Sequence, residues 1–226
     1  FINPDVNIKS IYRYMSLMYI PGVETCIKKI LRLPAGHSLS YSLQNKNIEI
    51  KRWWRPIFSN YTGCSKENLQ EAIQAKLETS VQRWSLSDVP IGCSLSGGLD
   101  SSSIVACLTA SGKRVKTYSL GFANAEEKAW NELPRARKIA KKYNTEHHEL
   151  ILNENKLLDD LPSMAWHLDE PYAGGLPSWT VFKFMSQDVK VCITGTGGDE
   201  LFGNYGKWRP SERCFMPNFF ASKYSK

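Results

Sequence analysis

The segment SLSGGLDSSSIV, residues 94–105, is the feature that most constrains what this chain can fold into. It follows an apolar run, VPIGCSL at 89–95, and leads into a helix-like stretch, SSSIVACLTA at 101–110. Gly97 and Gly98 permit positive φ angles and a close approach of the backbone, and a helix that starts here presents unpaired N–H groups at the positive end of its dipole. The segment therefore predicts an anion-binding turn between a strand and a helix of an α/β fold.

Strand-like and helix-like runs alternate along the chain after residue 89. Short apolar runs predict strands at 89–95, 114–122, 146–152 and 189–195, and the spacing of apolar residues predicts helices at 101–110 and near 131–143, 155–168 and 177–187. This alternation is typical of a parallel sheet with helices on both faces. In such sheets, ligands bind beyond the carboxyl ends of the strands.

The chain before residue 89 has a different pattern. Residues 11–50 combine short apolar runs with turn signals such as Pro21-Gly22 and Asn45-Lys46-Asn47, which predicts strands and turns and not long helices. Ser65 is a predicted N-cap, because apolar residues with the spacing of one helical face follow it: Leu69, Ile73, Leu77, Val81 and Trp84.

Asp100 decides which kind of anion the turn would bind. The turn lacks the Gly-Lys-Ser/Thr ending of a Walker loop, so the hydroxyls of Ser96, Ser101 and Ser102 remain as side-chain donors to phosphate oxygens. A carboxylate repels a polyphosphate unless a hard cation such as Mg²⁺ lies between them. We therefore expect a site for pyrophosphate and Mg²⁺, with a purely structural Gly-Gly turn as the alternative.

A second polar segment, TGTGGDELFGNYGKW at 194–208, follows the last predicted strand. It begins with three glycines and two carboxylates: Gly195, Gly197, Gly198, Asp199 and Glu200. A turn followed by a helix start would have a similar composition. Because parallel strands end at the same edge of a sheet, we expect Asp100 and Asp199 to lie on either side of a Mg²⁺-pyrophosphate, as metal-assisted phosphoryl chemistry requires.

Composition narrows the class of protein. The 226 residues carry a net charge of +7, but the basic residues are scattered in short groups, which favours a solvated surface over one that binds nucleic acid. The six cysteines contain no CxxC pair, which predicts reduced thiols and a cytoplasmic protein. No apolar run reaches the length of a membrane span, so no membrane partner is expected. The sequence leaves a homodimer open.

The two polar segments carry a family resemblance. SLSGGLDSSSIVA resembles the pyrophosphate loop of the ATP pyrophosphatase superfamily. Together with YSLGF at 118–122, HLDEP at 167–171 and TGTGGDELFGNY at 194–205, it is similar to the synthetase domain of glutamine-hydrolysing asparagine synthetases, whose fold is that of the adenine nucleotide alpha hydrolases.

The first residues resemble the closing strands of the glutaminase domain in that family. The resemblance implies that residues 1–56 are the C-terminal remnant of a glutaminase domain and that residues 57–226 are a synthetase domain truncated at its C-terminus. The chain is thus expected to be a fragment. The N-terminal cysteine that serves the family as glutaminase nucleophile would precede Phe1.

The resemblance also implies a reaction: a carboxylate attacks the α-phosphate of ATP, and ammonia then displaces AMP from the acyl-adenylate. The catalytic residues would be Asp100, Asp199 and Glu200, and Asp100 and Asp199 would carry Mg²⁺. The residues implied to bind ATP and pyrophosphate are Ser94, Leu95, Ser96, Gly97, Gly98, Asp100, Ser101, Ser102, Leu120, Gly121, Thr194, Gly195 and Thr196.

Two departures from the family pattern bear on the acid that is amidated. Thr196 stands where the family usually has an acidic residue linked to general-base work, and Pro177 aligns with an arginine that grips aspartate. Aspartate is the expected acid, and a sugar acid, a peptide or a lactam-forming substrate is the alternative. A tRNA-modifying pyrophosphatase and a non-catalytic nucleotide sensor are the remaining alternatives.

Overall fold

The computed structural model contains the helix that was expected after Ser65 and, after it, the expected alternation of strands and helices. The structure describes residues 5–58, 63–110, 112, 114–122, 131–152, 154–168 and 175–203. These residues divide into two compact units, one within Phe1–Leu69 and Glu154–Trp179 and the other within Gln70–Asn153 and Thr180–Lys226.

A four-stranded parallel sheet organises the second unit. The strands are β3 (Ile91–Ser94), β4 (Lys116–Phe122), β5 (Glu146–Leu152) and β6 (Val191–Ile193). They follow in the order β5, β4, β3, β6 across the sheet, and every neighbouring pair is parallel. The predicted parallel sheet is confirmed.

Helices cover both faces of this sheet. The helices between and around the strands are α2 (Lys66–Trp84), α3 (Leu99–Thr109), α4 (Leu133–Lys142), α7 (Gly175–Met185) and α8 (Gly198–Phe202). One apolar cluster joins α2, α3 and α4 to one face through residues such as Val81, Cys93 and Val105. The other cluster joins the end of α7 to the opposite face, where Tyr118 packs with Met185. The expected α/β fold is therefore observed.

The cysteines of the described residues are all unpaired thiols. Cys93 lies in one apolar cluster and Cys192 packs against the other. Burial raises the pKa of Cys93 to about 12 and that of Cys192 to about 11. These two thiols are therefore protonated packing groups at neutral pH. Cys214 lies outside the described residues.

The first unit contains a hairpin and short helices. Strands β1 (His37–Tyr41) and β2 (Ile48–Arg52) pair antiparallel around the predicted turn at Asn45-Lys46-Asn47. Helices α5 (Glu154–Asp159) and α6 (Leu161–Leu168) also belong to it. No helix among the described residues combines the length and the apolar character needed to cross a membrane.

The expectation of strands and turns from residue 11 onward was wrong at its beginning. Residues Ile8–Leu17 form a helix, α1, and the Asn7 side chain caps it by accepting a hydrogen bond from the Ser10 amide. The apolar side chains of α1 are exposed, so the helix has the spacing of an amphipathic face without a buried partner among the described residues. Asn7, one residue before the first apolar position, was the local signal for this helix.

Charged side chains connect β4 to the turn before β6, and α4 to β5. Asp188 accepts hydrogen bonds from Lys116 Nζ, at 2.5 Å, and from the buried hydroxyl of Tyr118. Arg137 of α4 donates to both carboxylate oxygens of Glu149, at 2.7 and 2.6 Å. The pKa of Asp188 is lowered chiefly by Lys116 and that of Glu149 chiefly by Arg137, while burial lowers the pKa of His147.

These three shifts predict loss of stability in acid. Each folded-state pKa lies below the unfolded value, so each contribution is complete above the unfolded pKa and is lost as pH falls through the folded one. The free energy of unfolding should decline below pH 6.5, where His147 of the unfolded chain begins to protonate, and again through the carboxyl range. Urea unfolding measured over a pH series tests this.

Asp188→Asn should remove part of the decline in the carboxyl range. Asp88→Asn is the matched control, because Asp88 is exposed and has no ion pair among the described residues. Equal pH dependence of the two variants would show that the Asp188 cluster does not contribute.

Candidate functional site

The polar turn after β3 is held at its base by the neighbouring strand. The Leu95 amide donates to the Tyr118 carbonyl at 2.8 Å, and the buried Ser119 hydroxyl donates to the Leu95 carbonyl. The Leu95 side chain is buried in the apolar cluster beneath the turn. These contacts fix the carboxyl end of β3, where Ser94 is its last residue.

Hydrogen bonds among serines shape the turn itself. The Ser101 hydroxyl accepts from the Ser96 amide at 3.2 Å and lies 3.0 Å from the Ser96 hydroxyl. The Ser96 hydroxyl also accepts from the Gly98 amide at 3.3 Å. The hydroxyl of Ser102 is buried and has no hydrogen-bond partner among the described residues. A buried hydroxyl without a partner is unfavourable for folding.

Gly97 brings the turn into direct contact with α4. Its φ is +78°, and a Cβ at this position would lie 2.6 Å from the amide nitrogen of Ala136 and 2.7 Å from the carbonyl carbon of Arg135. Both partners are backbone atoms in the first turn of a helix, so they cannot move aside cheaply. The contact therefore requires glycine for conformation and for space.

The structure brings the two polar segments against each other. A Cβ at Gly195 would lie 2.7 Å from the Ser101 amide nitrogen. A Cβ at Gly198 would lie 2.5 and 2.8 Å from the two carboxylate oxygens of Asp100. The Asp100 carboxylate therefore lies on the backbone of Gly198, the residue before Asp199. This proximity follows from the pairing of β3 with β6.

The remaining expected site residues lie on neighbouring strand ends. Leu120 and Gly121 are near the end of β4, where a Cβ at Gly121 would lie 2.7 Å from Leu133 Cγ. Thr194 follows β6, and its hydroxyl accepts a hydrogen bond from the Thr196 amide at 3.4 Å. Thr196 and Glu200 are exposed.

The residues that were expected to set the substrate specificity are only partly among the described residues. Pro177 is an exposed residue of α7. Residues 169–174, which include the end of HLDEP, and residues 204–226 lie outside the described residues. The structure therefore does not test whether Pro177 lies near the two polar segments.

Sequence reasoning missed the contribution of α4. Arg135 and Ala136 form one wall of the turn through their contact with Gly97. The available signal was weak: α4 has an arginine in its first turn and no acidic residue there. Contact between α4 and the turn is tertiary, so the spacing of residues along the chain does not reveal it.

The carboxylates of Asp100 and Asp199 are of the kind that binds Mg²⁺ together with phosphate. No group of three or more His, Cys, Asp or Glu side chains within the described part of the chain is arranged to hold a metal. Mg²⁺ at phosphate sites typically uses only one or two protein carboxylates and takes its other ligands from phosphate and water. Asp100, placed on the backbone next to Asp199, fits that donor set.

Comparisons with known proteins cover both polar segments. The asparagine synthase family profile matches residues 72–224, more than half of the chain. A Bacillus subtilis protein named asparagine synthetase [glutamine-hydrolyzing] 1 is 28% identical over 207 residues, which are 91% of this chain and 32% of that protein.

A further relative is covered to the same extent by this chain. A putative asparagine synthetase [glutamine-hydrolyzing] of Mycobacterium bovis is 30% identical over 209 residues, covering 91% of this chain and 32% of the relative. The chain thus spans about a third of the length of these curated relatives. Among solved structures, the NH3-dependent NAD synthetase from Campylobacter jejuni is 18% identical, with a TM-score of 0.41 and 60% of each chain covered.

Because of the contact at Gly97, we expect that adding a single methyl group there greatly lowers the free energy of unfolding. Gly97→Ala combines left-handed strain of about 1–2 kcal/mol with an overlap on α4 of about 1–3 kcal/mol. Gly112→Ala supplies the control, because Gly112 has a φ of +75° and a Cβ there would have no atom of the described residues within 4 Å. The free energy of unfolding, measured with urea, should therefore fall further for Gly97→Ala. Equal losses in both variants would contradict the packing contact.

Proposed function

Because this chain belongs to the asparagine synthase family, we propose that it provides the site at which ATP activates a carboxylic acid for amide formation, with AMP and pyrophosphate as products. Aspartate is the proposed acid, and glutamine or ammonia the proposed source of nitrogen. The observation that carries the proposal is the Asp100 carboxylate on the backbone of Gly198, beside the first turn of α3.

The turn after β3 supplies the binding site for the phosphate chain in this proposal. Helix α3 begins after Gly98, and its first amides lie at the positive end of the helix dipole. Ser102 is assigned as a further hydroxyl donor to the phosphate chain. Ser96 and Ser101 hold the turn in shape through their mutual hydrogen bonds, so little ordering would remain to be done when ATP binds. Leu120 and Gly121, on the next strand, are assigned to the adenosine.

Asp100 and Asp199 are the residues that would hold Mg²⁺. The ion would neutralise the charge that develops on the phosphate oxygens as pyrophosphate leaves. The role of the protein residues is to keep Asp100 in place: its backbone is bounded by Gly195 and its carboxylate by Gly198. A carboxylate held in this way needs no rearrangement during the reaction, which is the condition for electrostatic catalysis.

The chemistry proceeds by two displacements. An oxygen of the acid attacks the α-phosphorus of ATP, the bond to the bridging oxygen of the β-phosphate breaks, and pyrophosphate leaves with that electron pair. Ammonia then attacks the acyl carbon, the bond between that carbon and the adenylate oxygen breaks, and AMP leaves. The second step releases a proton from nitrogen. We assign its acceptance to Glu200, because the Thr196 hydroxyl cannot take a proton at neutral pH.

A different acid is the second candidate. The observations that favour it are Thr196 and Pro177, which replace an acidic residue and an arginine of the family pattern and are both exposed. Without a cationic side chain at position 177, the proposed site has no assigned partner for the second carboxylate of aspartate. The same activation by ATP would then serve a sugar acid, a peptide or a lactam-forming substrate.

Pyrophosphate release tests the reaction and identifies the acid. The intact protein with ATP, Mg²⁺, ammonia and aspartate should release pyrophosphate and AMP in equal amounts. Asp100→Asn should lower the rate at least 100-fold, because the carboxylate acts where charge develops. Asp88→Asn should leave the rate unchanged. Release with another acid and not with aspartate would select the second candidate.

Gly198→Ala provides an independent check on the same site. The new methyl group would displace the Asp100 carboxylate, a movable group, so activity should fall while the fold is retained. The double variant with Asp100→Asn should lose no more activity than Asp100→Asn alone, because both changes act through one carboxylate. Full activity in Gly198→Ala, or the absence of any pyrophosphate release from the wild type with every acid tested, would contradict the proposal.

A further inference from the structure

Arg135 lies beside the turn that was assigned to phosphate. A Cβ at Gly97 would be 2.7 Å from the Cβ of Arg135, so the base of the arginine side chain is in van der Waals contact with the turn. The remainder of the side chain is exposed. An arginine side chain that starts this close to the turn is long enough for its guanidinium to reach an anion bound there.

No ion pair or hydrogen bond within the described part of the chain holds the guanidinium of Arg135 away from the turn. Arg137, two residues later on α4, is fixed by two hydrogen bonds to Glu149. Arg135 makes no ion pair and no side-chain hydrogen bond among the residues that the structure describes. The two arginines of this helix therefore differ: Arg137 ties α4 to β5, and Arg135 remains available.

The position of Arg135 in α4 is unfavourable for the isolated helix. It is the third residue of the helix, after Leu133 and Pro134, and the first turn contains no acidic residue. A cation at this end opposes the helix dipole. Glu132 precedes the helix, and burial raises its pKa although Arg135 acts in the opposite direction. An anion beside the first turn would relieve this conflict.

We propose that Arg135 is a further phosphate contact, and that its guanidinium binds the β- and γ-phosphate oxygens of ATP, or pyrophosphate, held by the turn at 96–102. The assignment rests on the proposed function, because it requires that the turn bind a phosphate chain. It adds a cation from α4 to a turn that itself contains no basic residue. A planar guanidinium can donate two parallel hydrogen bonds to phosphate, which an ammonium cannot.

Calorimetric binding to the intact protein in the presence of Mg²⁺ tests the assignment. Arg135→Ala should weaken the binding of ATP and of pyrophosphate by about 10- to 150-fold, the range expected for a charge-assisted contact. Arg135→Lys should recover part of the loss. Binding of AMP should change less than about 2-fold, because AMP lacks the phosphates in question.

Lys141→Ala is the matched control. It removes the same charge from the last turn of the same helix, where Lys141 is exposed. Equal loss of pyrophosphate binding in Lys141→Ala and Arg135→Ala would show that the loss comes from the change in net charge, and it would overturn the assignment. Unchanged binding in Arg135→Ala, with weakened binding in Asp100→Asn, would also overturn it while leaving the proposed function intact. Absence of ATP binding in the wild type would overturn both.

A second measurement needs no variant at position 135. Phenylglyoxal modifies accessible guanidiniums, and mass spectrometry locates the modified residues. Arg135 should react in the protein alone and be protected by ATP or pyrophosphate but not by AMP, whereas Arg137 should show no nucleotide-dependent change. Modification of Arg135 that is insensitive to pyrophosphate would contradict the contact.

Discussion

The close approach of two backbone segments at the carboxyl ends of β3 and β6 is the constraint on which the candidate site depends. Gly195 lies against the backbone of Asp100 and Ser101, and Gly198 lies against the carboxylate of Asp100. Parallel pairing of β3 with β6 places the two segments side by side, and the absence of side chains at the two glycines lets them touch. A residue with a Cβ at either position would separate the two segments or displace the carboxylate.

The turn after β3 is thus bounded on two sides. Gly97 packs on the first turn of α4, and the start of α3 packs on Gly195. Serine hydrogen bonds fill the space between, which leaves the turn ordered before any ligand binds. Two features that are unfavourable for folding lie in the same place: the buried hydroxyl of Ser102, which has no partner among the described residues, and a cation at the start of α4. Such local conflicts are typical of functional sites, where a ligand resolves them.

Local chemistry explains why so much of the fold could be predicted from the sequence. The strand at 146–152 was predicted from a short apolar run and the helix after Ser65 from the spacing of its apolar residues, and both are observed with nearly the expected bounds. Helix α1 was missed because residues 11–50 were interpreted from their turn signals, whereas the helix begins at Ile8 and its capping residue, Asn7, precedes that range. The part played by Arg135 could not be predicted, since it depends on how α4 packs against a turn almost forty residues earlier in the chain. The roles of Asp100, Asp199 and Glu200 remain proposals that rest on placement and family.

Transfer of an oxygen isotope tests the central claim most directly. In the proposed reaction, one oxygen of the acid bonds to the α-phosphorus and stays with AMP when ammonia displaces it. With the acid labelled in its carboxylate by ¹⁸O, mass spectrometry should find one labelled oxygen in the AMP and none in the pyrophosphate. Label in inorganic phosphate together with ADP would mean that the acid attacks the γ-phosphorus, which would contradict the account. Unlabelled AMP would mean that water and not the acid attacks ATP, and it would contradict the account equally.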